Sequence, residues 1–186
     1  MSTMFSESER EFIRTYNKKL VIMTILSTGF LLAILIPSYK GQIDLGRNSV
    51  PLNIVQDRLV YTLKHLSSQL AWLIISQYYV IYYRLNTPAL DPTSGNEDLV
   101  QRAKNILTNS VEHGLVFMLS QLIMSVDLSA DLCRRLIPTI NILYILGRFL
   151  YLLGYPNNRT FGFVIVNLII ILTVSYNLCQ LSNIYL

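Results

Sequence analysis

Charge is scarce in this chain. Only 14% of its 186 residues are Asp, Glu, Lys or Arg, against about 25% in an ordinary soluble domain. The shortfall argues against a surface built to face water on all sides and fits a chain solvated largely by lipid. Cysteine is nearly absent as well. Cys133 and Cys179 are the only two, and they form neither a CxxC motif nor a disulfide framework. The two histidines, His65 and His113, lie on separate segments with no cysteine close by, so the spacing of a metal site is missing. The basic excess is small, a formal net charge of +4. Lys and Arg sit mostly at the ends of apolar runs rather than along one stripe, a pattern of membrane topology and not of nucleic-acid binding.

Apolar residues fill the gap. They make up 52% of the chain, and the mean hydropathy is +0.43. Five runs approach the roughly 20 residues a membrane-crossing helix needs. They are Leu20 to Ile36, Leu59 to Tyr83, Ile106 to Val126, Leu136 to Leu153 and Phe161 to Leu181. The runs are too long and too little alternating for barrel strands, and lipid admits only helices or closed barrels. The expected fold is all-α: a polytopic membrane bundle of five transmembrane helices.

The expected division is an N-terminal segment 1–19, a first transmembrane helix 20–36, a polar loop 37–58 and a four-helix membrane domain 59–186. The first run is long and no small-residue cleavage site follows it, so it reads as a retained anchor. Lys18 and Lys19 directly precede it. With the N-terminus cytosolic, Arg84, Arg102, Lys104, Arg148 and Arg159 fall on the same side, and the loop 37–58 is lumenal. Tyr78, Tyr79, Tyr82 and Tyr83 crowd the end of the second run, as an aromatic belt would.

Two polar stripes interrupt the apolar pattern. Arg102, Asn105, Asn109 and Glu112 step by three, four and three on the third helix. Asn141, Tyr144, Arg148, Tyr151 and Tyr155 step by three, four, three and four on the next. Each set shares one helix face, and a polar face inside a membrane turns away from lipid. A charge at mid-bilayer costs about 2.5–3.5 kcal/mol on insertion scales. Glu112 and Arg148 lie at similar depth, so an ion pair is expected between them, directly or through a neighbouring subunit.

The stripes resemble those of the MAPEG superfamily, the membrane-associated proteins of eicosanoid and glutathione metabolism. Asn109-Ser-Val-Glu112 is similar to the Asn-x-x-Glu of its glutathione transferases, and Arg148-Phe-Leu-Tyr151-Leu-Leu-Gly154-Tyr155 matches their Arg-x-x-Tyr-x-x-Gly-Tyr. Arg159-Thr-Phe-Gly162-Phe163 resembles the opening of the family's last helix. Two positions depart: Asn105 and Gly162 stand where those enzymes carry arginines. The resemblance implies a four-helix domain and assembly as a homotrimer. It implies a glutathione-like polar site of Arg102, Asn105, Asn109, Glu112, Arg148, Tyr151 and Tyr155.

An added helix ahead of four, and the segment Arg58-Leu-Val-Tyr-Thr-Leu-Lys64, resemble the mattrin-like branch of that superfamily. That branch implies a non-enzymatic integral membrane protein of the secretory and endolysosomal system (endoplasmic reticulum, Golgi or lysosome). Its work would be trafficking, secretion or membrane-protein quality control. Its partners would be the lipid bilayer and other membrane proteins, and it would have no resident cofactor and no metal. The alternative is a glutathione-dependent transferase or peroxidase, with glutathione as cosubstrate and Arg159, Tyr151 and Tyr155 at the reacting thiol.

Overall fold

A computed structural model describes residues 7–46, 51–91, 93, 95–156 and 158–185. The start of the expected N-terminal segment (1–6) and the stretch 47–50 of the expected polar loop, with Arg47, lie outside the described residues. Five long helices follow one another: α1 (Glu7–Tyr39), α2 (Val55–Leu85), α3 (Gln101–Asp127), α4 (Ala130–Gly154) and α5 (Thr160–Tyr185). Two short 3-10 helices, Pro88–Leu90 and Glu97–Val100, lie in the turn-rich connector between α2 and α3.

Among the described residues, three helical spans are long and apolar enough to cross a membrane unaided: Arg14–Tyr39, Ala130–Gly154 and Thr160–Asn183, with mean hydropathies of 2.4, 1.7 and 2.1. The expectation of five rested on run length alone. α2 and α3 have the length, at 31 and 27 residues, but they carry more polar side chains. Their ends are level with those of α4. At one end Tyr61 Oη donates to the Arg134 carbonyl and an Arg58 guanidinium nitrogen to the Val126 carbonyl. At the other, Arg102 donates to the Tyr155 carbonyl. α2 and α3 therefore run the full thickness of the bundle beside α4.

α1 and α4 are longer than the apolar runs indicated, and each holds a proline. α1 continues through Pro37 to Tyr39, three residues past the end expected at Ile36. Pro138 lies inside α4. Proline has no N–H to give the carbonyl four residues back. In α4 that orphaned carbonyl belongs to Arg134, and Tyr61 Oη takes the vacancy at 3.2 Å. The helix survives because a neighbour supplies the missing donor. Ser129 caps α4 by accepting from the Leu132 amide, so α3 turns into α4 across Leu128 and Ser129 alone.

The core is a column of Leu31, Leu66, Phe117, Ile137, Tyr144, Ile165 and Ile169, all buried. Outward lie exposed Val21, Ile25, Leu70, Leu119, Ile142 and Leu172, as expected where lipid is the solvent. α4 and α5 cross at two glycines. A Cβ on Gly162 would run into the Tyr151 amide nitrogen and the Gly147 carbonyl oxygen, and one on Gly147 would press on Ile165 and Val166 at 2.9 Å. Small residues let membrane helices approach closely. This crossing sets Tyr151 of α4 beside Arg159 and Phe163.

Candidate functional site

Among the described residues Arg148 is the most deeply placed charge, 1% exposed. Its Nε and Nη2 donate to Tyr144 Oη at 3.2 and 3.1 Å. Nη1 donates to Asn109 Oδ1 at 2.6 Å, and Nη2 also donates to the Asn109 carbonyl oxygen at 3.1 Å. Tyr144 lies one turn earlier on α4, with its ring 5.2 Å from the guanidinium carbon. That ring stacks on Phe117 at a centroid distance of 4.0 Å. The buried cation is thus held by amide, carbonyl and phenol oxygens and a π face.

The expected ion pair with Glu112 is not made. Glu112 is exposed on the outside of α3, and among the described residues it forms no salt bridge. The α4 stripe does turn inward: Asn141, Tyr144, Arg148 and Tyr151 are buried. On α3, Arg102, Asn105 and Glu112 are exposed and Asn109 is half-buried. The face that packs is Ala103, Ile106, Ser110, Gly114, Phe117 and Gln121. It is offset from the polar stripe by one residue, about 100° of helix rotation. Its small members bring α2 close, and Trp72 Nε1 donates to Ser110 Oγ at 3.1 Å. Close packing of small side chains, not charge, sets the rotation of α3.

The remaining stripe residues meet at the end of α4. Arg102 Nη2 donates to the Tyr155 carbonyl at 2.8 Å, a cation placed on a helix C-terminus, where the backbone dipole favours it. Asn105 Nδ2 donates to Tyr155 Oη at 3.3 Å, and Asn105 Oδ1 accepts from Gln101. Two guanidiniums approach the Tyr155 ring, Arg102 at 5.5 Å and Arg159 at 5.1 Å from its centroid, both within cation–π range. Beside it is a cleft of about 340 Å³ lined by Tyr16 and Leu20 of α1, Asn109 of α3, Tyr151 of α4, and Arg159, Thr160 and Phe163.

Of the residues expected at a polar site, Asn109, Tyr151 and Arg159 share this cleft. Arg102, Asn105 and Tyr155 flank it, Arg148 stands behind Asn109, and Glu112 lies outside. Sequence reasoning missed Tyr16, Leu20, Thr160 and Phe163. The first two were hidden because α1 read as a separate span. In fact Lys19 Nζ donates to Asn158 Oδ1 at 2.9 Å, Ser27 Oγ donates to the Phe161 carbonyl, and Phe30 meets the Phe161 ring at 6.3 Å. No motif signals those contacts. Thr160 and Phe163 lay within the quoted Arg-Thr-Phe-Gly-Phe segment and could have been found there.

A buried arginine, a tyrosine–arginine cluster at one end and a glycine crossing lie on four consecutive helices, and a model of the MAPEG family matches residues 62–179, more than half of the chain. The chain belongs to the MAPEG family. No curated protein and no solved structure matches it. The MAPEG match starts within α2 and ends within α5, so it takes in every candidate polar residue and leaves α1 outside. The family covers both glutathione-dependent enzymes and other membrane proteins. Chemically, the cleft can offer an anion the Arg159 guanidinium and the Tyr151, Thr160 and Asn109 hydrogen-bonding groups. Arg148 is committed to Asn109 and Tyr144.

Proposed function

We propose that this MAPEG protein is a non-enzymatic integral membrane protein of the mattrin-like kind. It acts in trafficking, secretion or membrane-protein quality control within the secretory and endolysosomal membranes, its N-terminus in the cytosol. The observation that carries the reading is the state of Arg148. Its guanidinium spends Nε, Nη1 and Nη2 on Asn109 and Tyr144. A transferase needs fixed, available cations to grip the carboxylates of glutathione and to lower its thiol pKa. Asn105 and Gly162 replace two more such cations. In this reading Arg148 is a structural staple.

Two further points support the placement in the membrane. Arg102 and Arg159 lie at the same end of the bundle as Lys19, as a cytosolic face would have them. Arg102, Asn105 and Glu112 are exposed on α3, and a homotrimer would cover them. The enzyme reading has its own support in the open cleft at Arg159 and Tyr151. Calorimetric titration of glutathione into the purified full chain in detergent tests the choice, with Arg159→Ala as control. The expected result is no heat at millimolar glutathione. Micromolar binding lost in Arg159→Ala would overturn the non-enzymatic reading.

A further inference from the structure

α1 lies outside the residues that the family model matches, yet it helps to build the cleft. Asn109 of α3 lines the same space as Tyr16 and Leu20 of α1, and Tyr151, Arg159, Thr160 and Phe163 complete it. α1 packs on α4 and α5 but, among the described residues, not on α3. The cleft therefore lies between α1 and α3, and α1 is its outer wall. Beyond that wall Val21 and Ile25 are exposed, as suits a surface solvated by lipid. Without α1, the floor formed by buried Tyr151 and Thr160 would face hydrocarbon on that side. At the end of the bundle, where Arg159 is exposed, the cleft opens to water.

α1 is held unevenly along its length. Its far half is keyed into the bundle, with Ser27, Leu31 and Ser38 all buried on one face. Ser27 Oγ donates to the Phe161 carbonyl at 3.4 Å, and Ser38 Oγ shares a hydrogen bond with Thr139 Oγ1 at 2.9 Å. Serine and threonine hydroxyls bonded across helices hold membrane bundles together. The half over the cleft is different. From Arg14 to Ile22 every residue but Lys19 is exposed, and Tyr16 and Leu20 reach the cleft while still 49% and 36% exposed. There Lys19 Nζ donates to Asn158 Oδ1 at 2.9 Å on the protein surface. An exposed contact of a long, flexible lysine contributes little, so this half is tied more weakly than the other.

We propose that α1 is a lid on the cleft, pivoting on its Ser27–Ser38 half, with Lys19 on Asn158 as its latch. Closed, it admits small water-borne solutes past Arg159 and keeps membrane-borne apolar chains away from Tyr151 and Thr160. Released, it opens the cleft sideways to the bilayer. Such a lid works alike over a binding site and over an inert crevice, so its test is independent of glutathione binding.

Thiol reactivity of the full chain in detergent tests the lid. Thr160→Cys places a thiol of similar size on the cleft floor, Cys179→Ser removes the exposed native thiol, and Cys133 is buried. Phe163→Cys is the second reporter should Thr160→Cys fail to fold. N-ethylmaleimide probes access from water and pyrene maleimide, which partitions into the micelle, access from the lipid side, each rate taken relative to Cys179 of the parent. N-ethylmaleimide should react readily and pyrene maleimide slowly. Lys19→Ala and Asn158→Ala cut the latch from its two sides, and Asn158→Ala leaves α1 unaltered. Each should raise the pyrene rate about threefold, the loss of one exposed contact, with the N-ethylmaleimide rate unchanged. Ile36→Ala, an exposed change on the anchored half, should raise neither. A pyrene rate that stays the same in both latch variants overturns the proposal. So does an equal gain in Ile36→Ala, or a reporter thiol that neither reagent reaches.

Discussion

Arg148 donates to both oxygens of Asn109, the side-chain amide at 2.6 Å and the main-chain carbonyl at 3.1 Å. One planar guanidinium thereby fastens α4 to α3 at a backbone point and a side-chain point together. A compact ammonium lacks that fork. Arg148→Lys should destabilise the bundle by about 1–3 kcal/mol, and Arg148→Leu by at least as much, because Asn109 and Tyr144 are left with unpaired buried groups. Thermal unfolding in detergent reads both. A Lys variant as stable as the parent would show that the fork does not matter.

Charge reversal separates this arrangement from a direct Glu112–Arg148 pair. Glu112→Arg should leave the yield of folded protein close to that of the parent, because Glu112 makes no salt bridge among the described residues. Arg148→Glu should fail to accumulate, because it buries a carboxylate against two acceptors, Asn109 Oδ1 and the Asn109 carbonyl. The double variant should be no better than Arg148→Glu alone. Rescue by the double variant, measured as monodisperse protein on size exclusion, would contradict the geometry.

Gly162 has no room for a side chain, since its missing Cβ points at the Tyr151 amide and the Gly147 carbonyl. Gly162→Ala must push α5 off α4, and overpacking of this kind costs about 1–3 kcal/mol. Gly29 has nothing within 4 Å of its missing Cβ, so Gly29→Ala should be neutral or slightly stabilising through helix propensity. The pair can be compared by unfolding midpoint and by protease resistance of the 155–159 connector.

The connector between α2 and α3 carries a pH-sensitive clamp. Glu97 Oε1 accepts from Arg84 at 2.9 Å and its Oε2 from Lys104 at 2.8 Å. The hydrogen bonds from Lys104 and then Arg84 hold its carboxyl below the usual glutamate range. A depressed folded-state pKa stabilises above the unfolded value and is lost as pH falls through the folded one. The protection factors of the Glu97–Val100 amides, taken against the pH-dependent intrinsic rate, should therefore be high at neutral pH and fall as the pH drops through and below the usual glutamate range. In Glu97→Gln they should be low at both. Protection factors unchanged across that range in the parent would remove the clamp.

Much of the fold was legible in the chain itself. Long apolar runs with few charges leave helices as the only way to satisfy a backbone in lipid, so five helices and their approximate positions followed from where the runs fall, although hydropathy alone marks three of them. The α4 stripe was also readable, because Tyr144, Arg148 and Tyr151 are the polar members of the most apolar stretch around them and have nowhere to go but inward. Helix ends were less legible. Pro37 and Pro138 look like breaks in one dimension, and only a neighbour such as Tyr61, donating across space to the Arg134 carbonyl, lets α4 pass through.

The rotation of α3 belonged to the tertiary structure. Its polar residues repeat at helical spacing, and so do its small ones, one position out of step. Sequence periodicity cannot rank the two faces, but packing can. Ala103, Ser110 and Gly114 let the helix axes close, while Asn109, at the seam between the faces, is enough to satisfy Arg148 without a carboxylate. The contribution of Tyr16 and Leu20 to the cleft was equally beyond the sequence. It depends on where α1 lies against α5, and that is decided by contacts such as Phe30 with Phe161, more than a hundred residues apart.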